Sequence, residues 1–76
     1  MAFEISTLMN NSKDKIVLVR MKNSKTVQGK LKNFDIHMNL TLDDAEDISN
    51  EKSEKLGTVL IRGDNILAVS IPKEES

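Results

Sequence analysis

The stretch KIVLVRMKNSKTVQGKLKNFDIHMNLTLDDA (15–45) decides the fold, because apolar residues recur along it at nearly every second position. KIVLVRMK (15–22) is rich in β-branched side chains and stops at the turn formers Asn23 and Ser24. TVQGKLKNF (26–34) sets Val27 and Leu31 on one face and Gln28, Lys30 and Lys32 on the other. Gly29 falls mid-strand on the apolar face, where a missing side chain costs packing and marks a sharp bend or a close backbone approach. HMNLTLDDA (37–45) alternates again, with Met38, Leu40 and Leu42 opposed to His37, Asn39 and Thr41. Three strands are expected here, the second bent at its glycine.

Upstream, Ile5, Leu8 and Met9 have helical spacing and are followed by Asn10, Asn11 and Ser12. This predicts a short amphipathic helix over residues 3–11, too short to persist without something to pack on. Downstream, EDISNEKSEK (46–55) reads as a polar loop, and LGTVLIR (56–62) and NILAVSI (65–71) as two more strands. Gly63-Asp64 between them predicts a tight hairpin, since glycine readily takes the positive φ of such turns. Pro72 ends the last strand, and residues 72–76 form a polar tail. The expected fold is all-β with a small N-terminal helix: five antiparallel strands rolled into one small barrel domain over residues 3–71.

The last two strands are almost continuously apolar. Exposed at a sheet edge they would invite aggregation, unless the neighbouring chain of a cyclic oligomer covers them. The alternative is that one barrel buries both of their faces. A chain of 76 residues without cysteine has no disulfide or thiolate metal site to support its small core, and a single histidine argues against structural zinc. Oligomerisation is the remaining standard support. No secretory signal and no membrane-length apolar run are present, so a soluble, cytoplasmic protein without membrane contact is expected.

Net charge is −1, yet the charges are segregated. Residues 13–32 hold Lys13, Lys15, Arg20, Lys22, Lys25, Lys30 and Lys32 against Asp14 alone, and residues 43–55 are mostly acidic. Such a field attracts anions locally but leaves no broad footprint for duplex DNA. The acidic run Asp43, Asp44, Glu46, Asp47 lacks a partnering histidine or cysteine and reads as a solvated strand end, so neither an enzyme nor a metal or cofactor site is expected.

GKLKNFDIHMNLTLDDAED (29–47) resembles the first motif of the Sm-like (LSm) family, and GTVLIRGDNI (57–66) resembles the second. Their order, the polar loop between them and the preceding helix match as well, over roughly residues 3–71. The second motif and the short tail are similar to the archaeal type. The resemblance implies a bent, SH3-like barrel in a homo-oligomeric ring of about seven subunits, each pairing its fourth strand with the fifth of the next. It also implies binding of uridine-rich single-stranded RNA around the pore, in RNA processing or metabolism.

The family's uridine pocket corresponds here to His37, Asn39, Arg62, Gly63 and Asp64. The residue types suit it. Histidine and guanidinium planes can sandwich a base, an interaction of about 1–3 kcal/mol. The Asn39 amide presents a donor beside an acceptor, the complement of uracil's N3–H and O4. A rotating amide would accept cytosine equally, so something must fix it, and Asp64 is the expected acceptor for its nitrogen. Asp35 is expected to accept backbone N–H groups in its own loop, while Phe3 and Phe34 are expected in the core. The competing reading is a protein-binding scaffold in which RNA is secondary.

Overall fold

The computed structural model describes residues 5–71. A helix, α1 (Ile5–Asn11), leads into five strands: β1 (Ile16–Met21), β2 (Thr26–Phe34), β3 (Leu40–Asp47), β4 (Glu54–Ile61) and β5 (Ile66–Ser70). They form one antiparallel sheet in the order β4-β3-β2-β1-β5.

Alternation explains the core. Val17 and Val19 of β1, Val27 and Leu31 of β2, and Leu40, Leu42 and Ala45 of β3 are all buried, joined by Met9 from α1 and Ile61 from β4. Phe34, Met38, Val59, Ile66 and Val69 pack around them, so Phe34 lies against the core as expected. Helix α1 ends where the Ser12 amide donates to the Met9 carbonyl at 3.0 Å, and Asp14, at φ 67°, turns the chain into β1.

Gly29 bends the sheet by close approach. A Cβ at that position would lie 3.0 Å from Leu42 Cβ and 3.2 Å from the Ala45 backbone, so β3 crosses β2 where no side chain fits. The pairing register slips on both strands there, between Gln28 and Lys30 and between Leu42 and Ala45.

Several expectations need correction. β4 and β5 do not form a hairpin; they lie at opposite edges of the sheet. A short 3-10 turn, Gly63–Asn65, carries the chain between them. The polar loop is shorter than residues 46–55, because Asp47 pairs with Glu54 and Glu46 with Lys55 on backbone hydrogen bonds that need no apolar side chain. β3 begins at Leu40, so His37 and Asn39 lie in the preceding loop. The expected start of the helix at residue 3, Phe3, and the tail at 72–76 lie outside the described residues.

Candidate nucleic-acid interface

Loop 35–39 is a closed turn built by its aspartate. Asp35 Oδ1 accepts the amides of His37 at 2.9 Å and Asn39 at 3.0 Å. The Met38 amide donates to the Asp35 carbonyl at 3.0 Å, and the Asp35 amide to the Asn39 carbonyl at 3.2 Å. Met38 adopts φ 63°, a conformation that costs a side chain of this size about 1–2 kcal/mol. Its packing against the core holds it there while His37 stays exposed.

The turn 63–65 docks onto this loop through backbone. The Gly63 amide donates to Asn39 Oδ1 at 2.8 Å. A Cβ on Gly63 would collide with the His37 carbonyl oxygen, so glycine is required for closeness and not for a positive φ. The two loops and β4 enclose an open groove of about 540 Å³ lined by Asp35, His37, Asn39, Leu60, Arg62 and Asp64. All five residues read from sequence therefore meet, four as walls and Gly63 as the hinge between loops.

The hydrogen bonds assign the amide's anchor differently from the sequence expectation. Asn39 Nδ2 donates to Asp35 Oδ2 at 2.9 Å, not to Asp64. Asp64 instead sits 3.3 Å from Arg62, an ion pair between two exposed side chains. The reason is geometric: the turn at Met38 brings Asn39 back over Asp35, whereas the 3-10 turn leaves Asp64 beside Arg62. Asp35 keeps its expected part as acceptor of loop amides and adds the Asn39 side chain. These bonds, the Asn39 amide first, hold the Asp35 carboxyl below its ordinary value of 3.8.

Asn39 is thus held at both ends, its oxygen on Gly63 and its nitrogen on Asp35. One amide hydrogen and one oxygen lone pair remain, in a fixed order. Leu60, 70% exposed, is the wall that sequence reading missed. Its signal was the apolar run of residues 56–62, too apolar for a strand with one solvated face. Among the described residues no three carboxylates or imidazoles converge to hold a metal ion, and no helix is long and apolar enough to cross a membrane.

A short helix followed by five antiparallel strands in one small bent sheet, with two loops stitched together over a polar groove, is the architecture of the Sm fold. The chain belongs to the LSM domain family, whose model matches residues 7–71. A Methanosarcina barkeri protein named as an snRNP Sm-like protein is 48% identical over 83% of this chain and 89% of its own. The SmAP1 heptamer of P. aerophilum superposes with a TM-score of 0.89, at 36% identity over 96% of this chain and 100% of that one. The Pyrococcus abyssii Sm protein, solved in complex with a uridine heptamer, superposes with a TM-score of 0.86, at 38% identity over 92% of this chain and 100% of that one.

Proposed function

We propose that this protein is a subunit of a homomeric ring of about seven copies that binds uridine-rich single-stranded RNA, in RNA processing or metabolism. The same reading takes residues 3–71 as the ring-forming domain and 72–76 as a polar tail. The observation that carries it is the doubly anchored Asn39 amide. Its free oxygen lone pair faces a uracil N3–H and its free N–H faces O4. Cytosine reverses both groups, so a base held in the same pose by its strand meets donor with donor and acceptor with acceptor. His37 and Arg62 supply planar surfaces for stacking, and Arg62 adds charge for a phosphate.

Ring closure is supported by the bare strands β4 and β5 and by the heptameric relatives. Pairing them between neighbours satisfies two sheet edges with one interface. It also sets pockets side by side, so that linked nucleotides engage several at once and gain avidity. The groove offers stacking planes and a hydrogen-bonding edge, which is equipment for binding and not for catalysis.

Fluorescence anisotropy with short oligo-U and oligo-C at two salt concentrations tests the reading. Low-micromolar or tighter binding of oligo-U, with oligo-C weaker, is the expected result. No binding of oligo-U at that concentration would favour the protein-binding scaffold instead.

A further inference from the structure

A second, smaller cavity of about 180 Å³ opens at the β1–β2 hairpin, lined among others by Arg20, Lys22, Ser24, Lys25 and Thr26. Its walls carry cationic groups and hydroxyls and no carboxylate. Two cations of the basic run have acids beside them: Lys32 meets Asp14 at 2.9 Å, and Lys25, in the cavity wall, reaches Asp47 at 3.5 Å. No acid lies within ion-pair distance of Arg20 or Lys22 among the described residues. Two like charges converging on one concavity repel, and an anion between them removes that repulsion. In a chain of net charge −1, this is a local field and not a general excess of positive charge.

The hairpin is also wired to the candidate base groove. The Lys22 amide donates to the Asn65 carbonyl at 2.8 Å, and the Asn65 amide to the Arg62 carbonyl at 3.0 Å. The cavity and the groove therefore flank one three-residue turn. Arg20 lies on β1, which is paired on both sides, and Lys22 in the turn that follows it, while Leu67 of the edge strand β5 also lines the cavity. We infer that Arg20 and Lys22 form a phosphodiester site that takes up the backbone of single-stranded RNA beyond the nucleotides seated in the base pockets. This rests on the RNA-binding reading proposed above and extends it. The site reads charge and not base, so its contribution appears only with RNA longer than the pockets occupy.

The test compares the assembled wild-type protein with Arg20→Gln/Lys22→Gln and with the charge-keeping Arg20→Lys/Lys22→Arg. Oligo-U of about 7 and about 20 nucleotides is titrated at several salt concentrations. For the glutamine variant the long oligomer should bind roughly tenfold more weakly, its salt slope shallower by about 0.7 for each phosphate that is no longer neutralised. The short oligomer should bind as it does to wild type, which also reports an intact fold, and the charge-keeping variant should behave as wild type with both. Equal binding of the long oligomer by the glutamine variant and wild type would overturn the site and leave the pocket reading standing. Equal weakening with both lengths would overturn it too, by placing the two residues in the pocket's own support. Failure of wild type to bind either oligomer would sink the pocket reading and this one together.

Discussion

The centre of the sheet and its edges solve different problems. β2 and β3 are paired on both sides and send Val27, Leu31, Leu40, Leu42 and Ala45 into the core. β4 and β5 are paired on one side only; of their residues only Ile61 is buried, while Leu60 is 70% and Leu67 64% exposed. Comparable apolar content thus yields a finished interior in one place and an unfinished surface in the other. This chain therefore carries its folding information in the middle of the sheet, and its unfinished rims are the surfaces of the proposed ring. The candidate base groove sits between them, built from loops that leave β2 and β4.

The most damaging change to that division is a charge on an edge. Leu67→Lys places a strongly hydrated ammonium on β5, the device by which natural edge strands refuse partners. The variant should keep its β-type circular dichroism, because Leu67 is outside the core. Native mass spectrometry should show loss of the ring, and oligo-U affinity should fall by about 10²–10⁴ as avidity disappears. A ring that persists would place the assembly surface elsewhere.

Next in size is Gly63→Ala, which attacks the seam between the regions. Its Cβ would meet the His37 carbonyl oxygen, and backbone cannot give way as a flexible side chain can. The 63–65 turn should lift from loop 35–39, losing the bond to Asn39. Stability should drop by about 2–4 kcal/mol in urea unfolding, and oligo-U binding should be lost with it. Gly29→Ala tests the centre alone. Its Cβ would stand 3.0 Å from Leu42 Cβ and 3.2 Å from the Ala45 backbone, so overpacking of about 1–3 kcal/mol is expected. The ratio of oligo-U to oligo-C binding should stay unchanged in the protein that remains folded.

How far the sequence reaches follows the same division. Val27, Leu31, Leu40 and Leu42 are buried where alternation put them, because a strand's two faces are fixed by its geometry. The bend at Gly29 was legible because a glycine on an apolar face has few other uses. Strand partners were not legible from local signals. Gly63-Asp64 reads as a hairpin, yet which strands pair depends on how the bent sheet brings its ends around, and no two-residue signal encodes that. The site residues came from the motif resemblance and do share one groove, but their internal wiring was hidden. It turns on a left-handed methionine, a conformation that no residue pattern announces and that only core packing around Met38 sustains.

The smallest predicted effect is also the most discriminating, because it separates Asp35 from Asp64. Asp35→Asn keeps the side chain's size but offers one carbonyl oxygen where the carboxylate accepts three hydrogen bonds. The Asn39 amide then has a weaker reason to keep its nitrogen inward. The preference for oligo-U over oligo-C should shrink by about 1–1.5 kcal/mol, roughly tenfold, more through gained C binding than lost U binding. Asp64→Ala should change that ratio little, since it removes only an exposed partner of Arg62 worth at most about 1 kcal/mol. Acid should reproduce the Asp35 effect. Its carboxyl titrates below 3.8 because it accepts these bonds as an anion, so the order it imposes is complete above that value. As pH falls through the lowered value the carboxyl protonates and that contribution is lost. Protection of the His37 and Asn39 amides, measured by NMR as exchange relative to the unstructured rate at each pH, should therefore fall in the wild type as the carboxyl protonates and already be low at neutral pH in Asp35→Asn. Protection that persisted in the variant would mean that the loop holds without the carboxylate, and the proposed uracil preference would then have to come from the strand's pose instead.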